Sequence, residues 1–143
     1  MIRSAARRAH PFVVALFLAC GIVQVFLAGL GVFSSPGAFI THREFGYLFG
    51  WLTLVALVLA IAAGEPRRVT GLSALLLGLF ALQSVLVAFH HIAPVVAALH
   101  PLNGFLLLAV AAITVRESWA VRDGSPAADA ARTAPVPSTA EAG

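Results

Sequence analysis

Four long apolar stretches, separated by short turn-forming segments, dominate the hydrophobic pattern of this chain. They cover approximately residues 11–33, 45–63, 69–89 and 99–115. About 20 mainly apolar residues suffice for a helix to cross about 30 Å of hydrocarbon, so each stretch predicts one membrane-spanning helix. Short connections make consecutive helices antiparallel neighbours. The sequence therefore predicts an all-α fold, a polytopic membrane four-helix bundle with up-down-up-down topology.

The same pattern divides the chain into three parts. Residues 1–10 form a short N-terminal segment, residues 11–119 the transmembrane domain, and residues 120–143 a C-terminal tail. From Asp123 onward the tail is rich in Ala, Pro, Ser, Thr and Gly, and its one large aliphatic residue is Val136. Such a segment cannot bury enough apolar surface to offset its chain entropy, so we predict that it is disordered.

Composition supports a lipid environment and excludes one class of partner. Hydrophobic residues make up 60% of the chain and charged residues 10%, with a mean hydropathy of +0.96. Soluble domains carry about 25% charged residues, so the lipid bilayer is the expected partner. The basic residues are all arginines and form no clustered basic face of the kind that nucleic-acid binding requires, so we do not expect that function.

The arginines predict the orientation of the bundle. One side of the predicted membrane carries eight of them: Arg3, Arg7, Arg8, Arg67, Arg68, Arg116, Arg122 and Arg132. The other side carries Arg43 alone. Because short cytoplasmic segments retain positive charge, both termini are predicted to be cytoplasmic, and the loops near residues 34–44 and 90–98 to face outward.

An approximate internal repeat carries the scarce polar residues. Gln24 in the first span corresponds to Gln83 in the third, and His42 and Gly46 near the start of the second correspond to His100 and Gly104 near the start of the fourth. Each half thus contains Gln, followed at similar spacing by His-x-x-x-Gly. The second and fourth helices would be parallel and diagonally opposite, which would place both histidines at the same depth, facing each other across the core.

This pattern predicts a cofactor site of a specific kind. Two histidines facing each other across a bundle can ligate one haem iron, and a glycine four residues later leaves bare backbone on the same helical face for a flat macrocycle. Further residues could support the group: Gln24 and Gln83 by hydrogen bonds, Arg43 by pairing with a propionate, and Asn103 from the face of His100. The predicted cofactor is haem b.

Several alternatives remain open at this stage. Glutamines and histidines of this kind can serve as interhelical hydrogen-bonding residues, and Gly-x-x-x-Gly is common at close helix contacts in lipid. Together with His42 and His100, His90 and His91 could instead form a copper or zinc site, since imidazole suits both metals. His10, beside Arg7 and Arg8, is expected to be a surface residue.

Three segments carry a resemblance to a known family: Gln-Val-Phe-Leu-Ala-Gly-Leu-Gly at residues 24–31, His-Arg-Glu-Phe-Gly-Tyr-Leu-Phe-Gly at 42–50 and Ala-Leu-His-Pro-Leu-Asn-Gly at 98–104. Over residues 11–115 the chain resembles a family of small four-span bacterial membrane proteins of unknown function. The resemblance implies location in a bacterial plasma membrane.

The His-Arg-x-x-Gly opening of the second span more distantly resembles that of haem A synthase, whose four-helix halves hold haem between histidines. This resemblance implies a ligand role for His42 and, through the repeat, for His100. The present chain has one four-helix unit where the synthase has two, and it lacks the synthase's glutamate shortly before His-Arg. Haem A synthesis is therefore not implied.

Two functions of different classes follow from these patterns. The first is binding of one b-type haem for electron transfer or haem handling, with a membrane redox partner or a second copy of the chain. The second is a cofactor-free bundle acting as an accessory or structural subunit of a membrane complex. Catalytic residues are not predicted, because the four spans contain no carboxylate and the sequence shows no pairing of a nucleophile with a base.

Overall fold

A computed structural model describes residues 1–122 and Gly124. It contains four long helices and one short one: α1 (Ile2–Phe33), α2 (Ala38–Ala63), α3 (Arg67–Ala88), α4 (Pro94–Ala97) and α5 (Leu99–Arg122). The last three residues of α5 belong to the predicted tail. The rest of that tail, apart from Gly124, lies outside the described residues, and the prediction of disorder lies there with it.

The helices are those of an integral membrane protein with several spans. Helices α1, α2 and α3, and α4 together with α5, are long and apolar enough to cross a membrane. Large apolar side chains also cover the outside of the bundle, among them Trp51, Val58, Ile61 and Phe105. An exposed apolar surface of this extent is stable in lipid and costly in water.

The helices pack as a square in which the backbone of each long helix lies close to its two neighbours and not to the helix diagonally opposite. Contacts join α1 to α2, α2 to α3, α3 to α5, and α5 back to α1. The diagonal pairs of long helices are therefore α1 with α3, and α2 with α5. This confirms the predicted up-down-up-down bundle, including the diagonal placement of the second and fourth spans.

The core of the bundle contains side chains from all four long helices. Val14 and Phe17 of α1 pack with Phe49 of α2, Leu76 of α3 and Leu107 of α5. Small residues let the helices approach closely, most clearly at Gly50, whose missing side chain makes room for the ring of Phe80. Close packing at small residues contributes to helix association in lipid, where the hydrophobic effect between helices is weak.

The helices begin and end in ways that define two different ends of the bundle. Helix α2 begins at Ala38, seven residues before the predicted apolar stretch, so His42 lies inside the helix rather than ahead of it. We call the end that carries His42 and His100 the histidine end. Helix α2 ends at Ala63, and the next residue, Gly64, caps it with a left-handed φ of 62°. The first and last described residues lie at the opposite end of the bundle, where Arg122 of α5 contacts Phe12 of α1. We call this the arginine-rich end.

Candidate histidine pair and its supporting network

Reciprocal hydrogen bonds join Gln24 of α1 to His42 of α2. The Gln24 side-chain Nε2 donates to the backbone carbonyl of His42 at 2.9 Å, and Nδ1 of His42 lies 3.2 Å from the backbone carbonyl of Gln24. A carbonyl oxygen only accepts, so Nδ1 of His42 carries the proton and donates it. In the neutral imidazole this leaves a lone pair on Nε2.

The second half of the chain repeats part of this arrangement. Nδ1 of His100 on α5 donates to the backbone carbonyl of Gln83 on α3, also at 3.2 Å. The Gln83 Nε2 lies 3.5 Å from Nε2 of His100, so the amide donates and the imidazole accepts. The internal repeat seen in the sequence is therefore also a repeat of hydrogen bonds. In each half, the glutamine of one long helix orients the histidine of the next long helix.

The two histidines meet across the α2–α5 diagonal. The centroids of the His42 and His100 rings are 6.2 Å apart, and the ring planes are inclined by 66°. Both side chains are half-buried. Because each Nδ1 is held by a carbonyl, each ring has Nε2 as the nitrogen left to accept a hydrogen bond or to bind a metal.

The two halves of the repeat differ in the residue three positions after the histidine. Asn103 of α5 donates through Nδ2 to the carbonyl of Leu79 at 2.9 Å and to Oε1 of Gln83 at 2.5 Å. The equivalent position in the first half is Phe45, which has no polar group. The Gln24 Oε1 is consequently buried with no hydrogen-bond partner.

The repeated glycines accommodate the glutamine side chains. A Cβ atom at Gly46 would lie 2.6 Å from Nε2 of Gln24, and one at Gly104 would lie 3.3 Å from Nε2 of Gln83. The space beside each glycine, which the sequence suggested for a macrocycle, thus holds an amide group in this structure. Contact between these glycines and a cofactor stays a prediction.

Arg43 lies next to the histidine pair but points to its own neighbour. Its Nη2 is 2.7 Å from Oε1 of Glu44, and both side chains are exposed. An exposed ion pair of this kind contributes little to stability, about 0–1 kcal/mol, so the guanidinium can exchange partners at low cost. The predicted pairing of Arg43 with a propionate stays untested.

His90 and His91 lie apart from the histidine pair, in the exposed turn after α3. Their rings stack at 3.6 Å, and Nδ1 of His90 donates to the carbonyl of Val87 at 2.8 Å. Among the described residues, no group of three or more His, Cys, Asp or Glu side chains is arranged to hold a metal ion. The structure therefore does not bring the four outer histidines together as the alternative copper or zinc site requires.

The expectation that His10 is a surface residue is wrong. His10 is 0% exposed and lies 3.0 Å, through Nε2, from Oγ of Ser73. That hydroxyl already donates to the carbonyl of Val69, so His10 is the donor and Ser73 the acceptor. The bond joins α1 to α3 across the second diagonal of the bundle, and the other ring nitrogen, Nδ1, is buried without a partner.

The spacing of the apolar residues after His10 indicates that His10 is buried. His10, Val14, Phe17 and Gly21 are spaced as one face of a helix, and all four are buried on α1. The expectation failed because the first helix was assumed to begin at residue 11, whereas α1 begins at Ile2.

Comparison with known proteins identifies one similar family. Residues 24–92 match the model of a family described as a family of unknown function (DUF6220). The matched segment contains Gln24, His42 and Gln83 and ends before His100. No curated protein and no solved structure matches the chain, and no link to haem A synthase is shown. Over slightly less than half of its length, the chain is thus similar to a family to which no function has been assigned.

Proposed function

We propose that this membrane protein binds one b-type haem, which His42 and His100 would hold through their imidazole nitrogens. The observation that carries the proposal is the placement of two imidazoles across the α2–α5 diagonal, each with its Nδ1 bonded to a backbone carbonyl. Hydrogen bonding of this kind is the usual support of a metal-binding histidine, because it fixes the ring and increases the basicity of the other nitrogen.

The separation of the rings agrees with ligation of one metal ion from both sides. Two imidazole–metal bonds of about 2 Å each, plus the distance from each nitrogen to its own ring centre, place the centroids about 6 Å apart. The observed separation is 6.2 Å. For haem binding, the Gln83 amide would give up its contact with Nε2 of His100 and keep its bond to Asn103.

The number of protein ligands favours haem over a bare metal ion. Structural zinc is almost always held by four ligands and catalytic zinc by three plus water. The described residues offer only the pair His42 and His100 at this place. A porphyrin supplies four nitrogens of its own, so two histidines would suffice to hold its iron.

In the proposed state, the chain orients the ligands and the haem supplies one-electron redox chemistry. The carbonyls of Gln24 and Gln83 hold the two rings in the tautomer with a free Nε2, and Arg43 provides a cation near the outer end of the site. Electron transfer or haem handling would then require a membrane redox partner or a second copy of the chain. We further propose that the arginine-rich end faces the cytoplasm of a bacterial cell, with the bundle in the plasma membrane.

The visible spectrum of the purified protein tests the proposal. The full chain is purified in detergent from haem-replete cells, and spectra are recorded oxidised and reduced. Two imidazole ligands should give a low-spin spectrum with a sharp Soret band and resolved bands on reduction. His42→Ala and His100→Ala should each abolish the low-spin form, whereas His91→Ala, in the exposed turn, should leave it intact.

A second experiment does not depend on whether the variants fold. Haemin is added to the wild-type protein purified from haem-depleted cells. The wild-type chain should bind one equivalent and develop the low-spin spectrum. A folded chain that stays colourless in both experiments would refute haem binding.

A second candidate, a cofactor-free accessory bundle, is favoured by one observation. The contact of Asn103 with Gln83, like the reciprocal bonds of Gln24 and His42, links neighbouring helices without any additional group. Hydrogen bonds of this kind stabilise helix packing in membranes. A folded, colourless and metal-free preparation that co-purifies with a membrane complex would support this function.

A further inference from the structure

The arginine-rich end of the bundle contains an open cavity of about 500 Å³. It lies between the first turns of α1 and the end of α5. Six residues line it: Met1, Arg3, Ser4, Arg7, Arg8 and Arg122. Four of these residues are cationic and none is acidic, so the cavity is suited to an anion.

Among the described residues, carboxylates neutralise little of this charge. Glu65 pairs with Arg7, with 3.6 Å between Oε1 and Nε, and its own side chain is only 3% exposed. Glu117 pairs with Arg68 and Arg116, which do not line the cavity. Arg3, Arg8 and Arg122 form no ion pair with an acidic residue of the described chain, so the lining keeps an excess of positive charge.

Two of the arginines are held in place by the end of α2. Nε of Arg3 donates to the carbonyl of Ala63 at 2.9 Å, and Nη2 of Arg7 donates to the same oxygen at 3.4 Å. The residue that follows, Gly64, leaves room for this contact, because a Cβ atom there would lie 2.7 Å from Nη2 of Arg3. Cations at a helix C-terminus are stabilised by the helix dipole, so both guanidinium groups are positioned without a ligand.

A third arginine is held by aromatic rings at the membrane interface. The guanidinium carbon of Arg122 lies 4.5 Å from the centroid of the Trp119 ring and 5.3 Å from that of Phe12. The two rings contact each other edge to face at 5.1 Å, and Phe12 is 54% exposed. Tryptophan is enriched where the hydrocarbon meets the headgroups, so the cavity lies at headgroup level.

We propose that this cavity binds the phosphate of an acidic phospholipid, with the acyl chains lying along the apolar surface beside Phe12. Arginine is well suited to phosphate because its planar donors bind two oxygens at once, and basic pockets at the ends of membrane helices can hold lipid headgroups. The apolar surface next to the cavity favours a lipid over a free phosphate compound. The site is at the opposite end of the bundle from the proposed haem and is independent of it.

Thermal unfolding of the full chain in neutral detergent tests this proposal with three additives. Phosphatidylglycerol should raise the unfolding temperature, whereas phosphatidylcholine and glycerol 3-phosphate should not. The double variant Arg8→Gln/Arg122→Gln should bind phosphatidylglycerol about 30-fold more weakly, since each arginine near an acidic lipid contributes about fivefold in affinity.

Arg67→Gln is the matched control, because Arg67 lies at the same end but does not line the cavity. It should keep the full response to phosphatidylglycerol. An equal loss in Arg67→Gln, or an equal response to phosphatidylcholine, would overturn the proposal in favour of a general effect of charge or of lipid. An equal response to glycerol 3-phosphate would overturn the lipid assignment and indicate a soluble phosphate compound. Native mass spectrometry of each variant reports bound lipid directly, whatever its thermal stability.

Discussion

Asn103 donates a hydrogen bond to the side-chain oxygen of Gln83, and the first half of the chain has no equivalent bond because Phe45 occupies the matching position. The two glutamines therefore have different surroundings despite their equivalent places in the repeat. Gln83 uses both ends of its amide, whereas Oε1 of Gln24 is buried without a partner. Their removal should consequently have different effects.

Replacement of each glutamine by leucine tests this difference. Gln83→Leu breaks the bonds to Asn103 and His100 and should lower the free energy of unfolding by about 1 kcal/mol, the usual scale of interhelical bonds in membranes. Gln24→Leu breaks one bond and also removes an unsatisfied buried oxygen, so the two effects should nearly cancel. Unfolding of both variants in mixed detergent micelles measures the difference. Equal losses would show that the unpartnered oxygen of Gln24 is in fact satisfied.

The buried histidine at the other end gives a second prediction. His10→Ala removes the bond to Ser73 across the α1–α3 diagonal and leaves a cavity, so it should lower the free energy of unfolding by about 2–3 kcal/mol. His91→Ala, in the exposed turn, should change it by less than about 0.5 kcal/mol. The same unfolding assay compares the two variants. A His10 variant as stable as the His91 variant would contradict the burial of His10.

The architecture was readable from the sequence because length and hydropathy determine which segments can cross a membrane. Short connections then fixed the order of neighbouring helices, and with it the diagonal placement of His42 and His100. The first and last residues of the helices were harder to predict. Helix α2 begins at Ala38 because the polar residues from Thr41 to Glu44 and the three residues before them continue the helix, whereas hydropathy alone reports only the uninterrupted apolar part.

The repeat singled out the residues of the candidate site and the facing histidines, but not the hydrogen bonds that surround them. The repeat singled out Gln24 and Gln83 as polar residues in need of partners, yet the sequence could not show that each would join a histidine of the next helix. Gly46 provides the clearest example. Its spacing from His42 fitted a surface for a macrocycle, while the packing places the Gln24 amide there.

Two glycines in neighbouring helices provide a matched pair for a prediction about packing. Gly50 of α2 faces the ring of Phe80, and a Cβ atom at this position would collide with it, whereas a Cβ atom at Gly78 of α3 would meet nothing within 4 Å. Gly50→Ala should therefore destabilise the protein by about 1–3 kcal/mol through overpacking. Gly78→Ala should be neutral or stabilise by up to about 1 kcal/mol, because alanine favours the helix. Unfolding in detergent measures the stability of both variants. Equal effects would contradict the close approach of α2 and α3 at Phe80.

The arginine distribution gives the last prediction, which concerns orientation. Seven arginines of the described residues lie at one end of the bundle, at or beyond the ends of the apolar spans, and Arg43 is at the other end. A reporter that is active only in the cytoplasm should therefore be active when fused after Gly143, and a reporter that requires export should be active when inserted at Gly37. The four spans place Gly37 and the end of α5 on opposite sides of the membrane, so the two reporters must be either both active or both inactive. Replacement of Arg67 and Arg68 by glutamine tests whether positive charge determines this orientation. Weaker positive charge in the α2–α3 turn should increase the fraction of inverted chains. Activity of the exported reporter after Gly143 would reverse the assignment and place the histidine end toward the cytoplasm.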